Sequence, residues 1–184
     1  MNGIRHLLVL GGARSGKSRH AQARCEAVPG PLAYIATAEI YDAEMADRVG
    51  RHRADRGERW RTVEAPIDLP GAIDAAAGWA EVILVDCLTL WLSNLLLADE
   101  DIGGWSGRLA EAVRECAVPV VLVANEVGLS IVPDNALARR FRDEAGWLNQ
   151  QMAALCDGVV LVTAGLPLML KGGAAERMTG NGAI

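Results

Sequence analysis

The chain reads as an α/β protein in three layers, with helices on both faces of a mostly parallel central sheet. Two observations predict this. Apolar runs of strand length alternate with helical patterns nearly end to end, as parallel strands joined by helical crossovers require. The first run, Leu7 to Leu10, leads straight into Gly11-Gly12-Ala13-Arg14-Ser15-Gly16-Lys17-Ser18, a glycine-rich turn of the kind that joins a strand to a helix and holds phosphate.

Taken in order, the elements follow from local pattern. Ile4 to Leu10 forms the first strand, and after the glycine-rich turn Lys17 to Ala27 forms a helix. Ala33 to Ala36 is a short buried strand, Ala43 to Arg53 a helix, and Trp60 to Glu64 a strand. A helix from Leu69 to Gly78 is followed by Val82 to Asp86, a β-branched run too short for anything but a strand. Leu88 to Leu97 is helical. The acidic, glycine-containing stretch Asp99 to Gly104 reads as a surface loop before a helix from Trp105 to Cys116. Val118 to Asn125 and Val159 to Ala164 are strands. Between them Asn135 to Cys156 carries Leu137, Phe141, Leu148, Met152 and Leu155 at helical spacing, which makes them core positions, with Arg139, Arg140, Arg142 and Asp143 on other faces.

A chain of 184 residues with 51% hydrophobic content suits one domain with a substantial core. That domain covers residues 1–171, and the Gly- and Ala-rich stretch 172–184 reads as a flexible tail. A net charge of −5 gives no general attraction to nucleic acid or to an anionic membrane. No apolar run approaches a membrane span, and the run after Arg5 and His6 is short for a signal peptide, so a cytoplasmic location is expected. Cys25, Cys87, Cys116 and Cys156 make no CxxC pair and fall inside apolar or helical segments, which points to buried free thiols rather than disulfides or a zinc site.

The glycine-rich turn carries the first chemistry. Its glycines let successive backbone N–H groups point at phosphate oxygens, and the helix behind it offers its positive end to the same anion. Lys17 would reach the β- and γ-phosphates, and Ser18 would ligate magnesium. Asp86 closes an apolar strand and so emerges at the carboxyl edge of the sheet, where open α/β sheets place ligands. It suits a magnesium-organising carboxylate, or else a cap for the next helix.

Arg48, Arg51, His52, Arg53, Arg56, Arg59 and Arg61 crowd together in an otherwise acidic chain. Such a run is commonly a solvated helix face. It also has a chemical use, since neighbouring arginines keep an imidazole neutral and nucleophilic and hold the phosphate it attacks. Asn125-Glu126-Val127-Gly128 follows another strand and could touch a second substrate, while Asp134 or Asn135 reads as a helix cap.

Several motifs converge at this point. The turn Gly11 to Ser18, Tyr34-Ile35-Ala36-Thr37-Ala38, Glu44-Met45 with Arg48 and His52-Arg53, then Arg56, Trp60, Thr62 and Glu64 form an ordered set. It continues with Asn125-Glu126-Val127-Gly128, Ile131-Val132-Pro133, Phe141-Arg142-Asp143, Ala145-Gly146, Leu148-Asn149-Gln150 and Gly165-Leu166-Pro167-Leu168. In this set the chain resembles the bifunctional adenosylcobinamide kinase and adenosylcobinamide-phosphate guanylyltransferase family of cobalamin biosynthesis. The resemblance runs almost to Lys171.

That resemblance implies a P-loop NTPase fold of the RecA-like type and two reactions on one substrate. ATP or GTP phosphorylates the aminopropanol hydroxyl of adenosylcobinamide. GTP then gives GMP to that phosphate through a covalent histidine, yielding adenosylcobinamide-GDP and pyrophosphate. His52 matches the histidine, with Lys17 as its catalytic companion. Nucleotide contacts map onto Gly11, Gly12, Ala13, Arg14, Ser15, Gly16, Lys17 and Ser18, onto Ala36, Thr37 and Ala38, onto Arg53, Ala54, Asp55 and Arg56, and onto Glu64 and Asp86. Glu64 is the candidate reader of guanine, whose N1 and N2 donors suit a carboxylate. Mg2+ would be organised by Ser18 and Asp86. The family is trimeric, which implies a homotrimer, with no nucleic-acid partner and no membrane insertion expected.

Three departures stand out: Gly57 where proline is frequent, Ser130 where glycine is frequent, and Asp86 where glutamate is frequent. The last is one methylene shorter. Two other functions remain open on motif alone, a P-loop small-molecule kinase without guanylyl transfer and a RecA-like assembly protein whose arginines meet a neighbouring subunit. No NKxD sequence is present, which weighs against a regulatory GTPase.

Overall fold

Strands buried on both faces need apolar side chains at successive positions, and the central runs of this chain supply them. The computed structural model describes residues 4–38 and 57–172. Its elements are β1 (His6–Gly11), α1 (Lys17–Glu26), β2 (Leu32–Ala36), β3 (Trp60–Glu64), α2 (Leu69–Ala77), β4 (Val82–Asp86), α3 (Leu88–Leu97), α4 (Ile102–Glu115), β5 (Val120–Asn125), α5 (Ala136–Leu155), β6 (Gly158–Thr163) and β7 (Leu166–Lys171). The expected helix at 43–53 and the tail beyond Gly172 lie outside the described residues.

The strands form one seven-stranded sheet in the order β3-β2-β4-β5-β1-β6-β7, parallel except for β7, which pairs antiparallel with β6. Strand alternation divides the core into two layers. Leu8, Leu10, Ile83, Val85 and Leu122 face a large cluster closed by α2, α3, α4 and α5, with Ile73, Trp91, Leu92, Leu109, Leu148 and Met152 fully or almost fully buried. Leu7, Val9, Val82, Leu84 and Val121 face the opposite layer, where α1 contributes Ala21 and Cys25. This is the three-layer α/β architecture the alternation of elements predicts.

Three expectations change. Asp99 to Gly104 is not all loop, because α4 begins at Ile102. The Asp101 side chain caps it by accepting from Gly104 N at 3.1 Å, which offsets the poor helix propensity of the two glycines in its first turn. Leu166–Lys171, read only as part of a motif, is a seventh strand. Ala164 and Gly165 both take positive φ, 53° and 80°, which builds a two-residue hairpin turn, and Pro167 is tolerated because β7 is an edge. Leu137 is not core, being 57% exposed. Periodicity reports which residues share a helix face but not where the sheet beneath that helix begins. Leu148 and Met152 on the same face are buried.

The four cysteines are free and buried as expected. Burial pushes the Cys25 and Cys156 thiols up to about 12 and Cys87 up to about 11, so these thiols stay protonated and inert.

Candidate active site

The phosphate loop lies between β1 and α1. Gly16 is the N-cap of α1 at φ 95°, and no side chain caps the helix, so its first-turn N–H groups remain open to an anion. A Cβ at Gly11 would lie 2.5 Å from both Val162 O and Ser15 Oγ, which leaves glycine as the residue that fits there. The β6–β7 turn braces the loop from the side, with Gly165 N donating to Ser15 O at 2.8 Å. Lys17 is 9% exposed and its Nζ donates to Gly12 O at 3.1 Å. The ammonium is thus folded over the loop, on a single carbonyl that a phosphate oxygen can replace. Ser15 Oγ is buried without a hydrogen-bond partner, an orphan polar group inside the cradle. These features fit a bound polyphosphate.

The carboxyl ends of the parallel strands gather the other candidates on one edge. Gly11 is in register with Asn125, and Ala36 with both Glu64 and Asp86. Asp86 is half-buried at the end of β4 and does not cap α3, whose N-cap is Cys87 with no side-chain bond. Among the described residues no three His, Cys, Asp or Glu side chains gather into a metal cage. A magnesium ion at Ser18 and Asp86 would draw its remaining ligands from phosphates and water, as that ion commonly does.

Thr37 is wholly buried. Its hydroxyl donates to Cys87 O at 2.7 Å and accepts from Cys87 N at 2.8 Å, and its own N–H donates to Asp86 O at 3.5 Å. Asn94 extends the clamp by donating to Thr37 O at 2.7 Å and Pro66 O at 3.0 Å. Three strand ends are therefore tied together around the Asp86 backbone, and the Asp86–Cys87 peptide is cis. Ala36 and Ala38 flank the clamp.

Thr89 serves β5 in the same way, accepting from Asn125 N at 2.7 Å, while Glu126 N donates to Gly11 O at 3.1 Å. Sequence reasoning missed Thr89, Asn94 and the bracing role of Gly165. The available signal was the placing of Thr89 and Asn94 in the strongly apolar helix α3, where the structure buries both.

Thr37→Val is expected to lower turnover roughly 10- to 100-fold through displacement of Asp86, with little change in nucleotide KM, and Thr37→Ser is expected to restore it. Steady-state kinetics of the two variants check this. A loss shared equally by both would mean that the hydroxyl is not what matters.

Glu64 stands exposed at the end of β3. Four strand spacings of about 4.8 Å separate β3 from β1, or roughly 19 Å. The base-reading candidate thus stands at one end of this edge, with the phosphate loop four strands away. His52, Arg53, Ala54, Asp55 and Arg56 lie outside the described residues, as do Arg48 and Arg51. Asn135 is the N-cap of α5, accepting from Ala138 N at 2.7 Å, so its role is structural.

The solved structures resembling this one include the assembled ATPase EscN of the enteropathogenic E. coli type III secretion system, with TM-score 0.58, 12% identity, and 88% of this chain and 43% of that chain covered. A Pyrococcus horikoshii OT3 protein gives TM-score 0.55 at 7% identity over 94% of this chain and 88% of its own. At these identities the likeness speaks for the fold alone, a P-loop NTPase fold. Sequence relatives are much nearer. The bifunctional adenosylcobalamin biosynthesis protein CobP of Pseudomonas aeruginosa is 48% identical over 168 residues, covering 90% of this chain and 96% of that protein. CobU of Escherichia coli K12, described in the same words, is 44% identical over 90% of this chain and 99% of its own. The family model described as cobinamide kinase / cobinamide phosphate guanyltransferase matches residues 7–170, nearly the whole of the sheet and every described site residue. The chain belongs to the cobinamide kinase / cobinamide phosphate guanyltransferase family.

Proposed function

We propose that the chain phosphorylates adenosylcobinamide with ATP or GTP and then transfers GMP from GTP to the product through a guanylylated His52. The observation that carries this reading is the uncapped N-terminus of α1 with Lys17 folded over the loop, in a chain whose family is defined by both activities. In the first reaction the aminopropanol oxygen attacks the γ-phosphorus while the bond to the β–γ bridging oxygen breaks. The hydroxyl proton is lost and a nucleoside diphosphate leaves. Lys17 and the loop N–H groups hold the charge that moves onto the departing oxygens.

The second reaction needs attack at the α-phosphorus. A neutral imidazole nitrogen of His52 forms a P–N bond as pyrophosphate leaves into the same phosphate loop. The acceptor's phosphate oxygen then attacks that phosphorus, the P–N bond breaks, and His52 is regenerated. Glu64 accepts the guanine N1 and N2 hydrogens, while Ala36, Ala38 and Arg53 to Arg56 line the nucleotide. Thr37, expected from the resemblance to touch it, is wholly buried and instead holds the strand ends beneath it. Ser18 and Asp86 would hold magnesium, which would supply positive charge to offset that on the triphosphate and on the leaving group.

A homotrimer in the cytoplasm goes with this reading. No helix among the described residues is long and apolar enough to cross a membrane. The edge strand β7 exposes Leu166, Leu168, Met169 and Leu170, an apolar surface that a second copy would cover.

Incubation with α-labelled GTP tests the covalent step. The expected result is acid-labile, base-stable label on the protein, released as product by adenosylcobinamide phosphate. Folded protein that takes up no label overturns the guanylyltransferase reading.

A further inference from the structure

Between Asp86 on β4 and the phosphate loop on β1, the end of β5 leads into a hollow that the nucleotide chemistry does not use. It has a volume of about 300 Å³ and is lined by Gly128, Arg142, Asp143, Gly146, Trp147 and Gln150. Its near wall follows β5 directly. Asn125 is in register with Gly11, and Glu126 N is bonded to Gly11 O, so Gly128 stands only a few residues from the phosphate loop. A molecule held here lies beside the end of the nucleotide that the loop grips.

The lining has a consistent chemistry. Trp147 is 62% exposed and offers an indole face. Leu129, Ile131 and Val132, which follow Gly128 in the chain, are 88%, 93% and 62% exposed, and Leu137 near the start of α5 is 57% exposed, an apolar rim of the sort that marks a binding surface. Polar groups stand among them. Arg142 is held by Asp143 through Nε at 3.0 Å and Nη2 at 2.8 Å, and Gln150 has no side-chain hydrogen bond among the described residues.

Gly146 decides the shape. It lies in the interior of α5, where glycine costs about 1 kcal/mol relative to alanine. A Cβ there would meet nothing within 4 Å, so packing does not require the glycine. What its missing side chain leaves is room in the hollow.

We propose that this hollow and its apolar rim bind the corrinoid acceptor. A corrinoid is a broad, flat macrocycle with apolar faces and a fringe of carboxamide arms. The rim and the Trp147 indole suit the face of the ring. The hollow is too small for the whole molecule and suits one amide-bearing edge, paired with Gln150 and Arg142. The aminopropanol arm is then directed toward the loop after β5 and the γ-phosphate. This assignment rests on the functional reading above, since it takes cobinamide as the acceptor.

The test uses Gly146→Met, which fills the hollow from a helix position that tolerates methionine, and Trp147→Ala, which removes the indole. With cobinamide as the varied substrate, KM is expected to rise at least about tenfold in each variant, while GTP binding by the same proteins stays within about twofold of wild type. Cobinamide is also expected to quench tryptophan fluorescence in the wild type and to lose most of that quenching in Trp147→Ala. Wild type active on cobinamide, with both variants unchanged in KM, overturns the site alone. Wild type inactive on cobinamide overturns the functional reading and the site together. A changed number of subunits in sedimentation of folded Gly146→Met would make this surface an interface between copies and overturn the proposal.

Discussion

Lys17→Ala is expected to depress both reactions, kinase and guanylyl transfer, by roughly 100- to 1000-fold, the usual cost of removing one preorganised charge from a transition state. The geometry gives the reason for a joint loss. Lys17 is nearly buried with its Nζ on Gly12 O, so it is held over the one place where phosphate can lie against the open N–H groups of α1. In the proposed scheme the γ-phosphate lies there in the first reaction and pyrophosphate leaves there in the second. Little stability is lost with the side chain, because the single hydrogen bond to Gly12 is worth about 1 kcal/mol net. Paired assays of cobinamide phosphorylation and GMP transfer, with a melting curve as control, measure this. A variant that lost one activity and kept the other would place the two reactions on separate phosphate sites.

His52→Ala is expected to separate the reactions instead. Guanylyl transfer should fall at least about 1000-fold, as removal of a nucleophile does, while phosphorylation of cobinamide remains measurable. The kinase step is a direct displacement and has no use for a second nucleophile. Protein label from α-labelled GTP should disappear with the transfer activity. Full transferase activity in this variant would require a direct attack on the α-phosphate without a covalent step. Arg51 beside it cannot substitute, because a guanidinium keeps its proton at any working pH.

Much of the architecture was legible before any coordinates, for a physical reason. Strands covered on both faces must be apolar throughout, so β4 from Val82 to Asp86 and α3 from Leu88 to Leu97 could be bounded from the residues alone. The phosphate loop was equally plain, since few residue types can fill its sharp turn. β7 was harder. Leu166–Lys171 carries a proline and follows a two-residue turn in which Ala164 takes a left-handed conformation, and that conformation is disfavoured enough for alanine that sequence gives no warning of it. The extent of α4 turned on the Asp101 cap, a local bond that outweighs two glycines.

The site divides along the same line. What residue type suggests could be read from the chain itself: Lys17 and Ser18 in a phosphate loop and Asp86 at a strand end. The role expected of His52 came from the family resemblance, and that residue lies outside the described ones. Chemistry that depends on distant segments meeting was decided by the tertiary structure. Thr37 and Asn94 reach partners 50 and 57 residues away in sequence, Cys87 and Thr37 respectively. The turn at Gly165 reaches back across the sheet to Ser15, and the hollow at Gly146 exists because the segment after β5 comes to lie against α5. A linear pattern records what each residue can do and how its own element is built. Which strand ends share an edge, and therefore which groups act on one substrate, follows from strand order, and that order is fixed by packing the whole sheet at once.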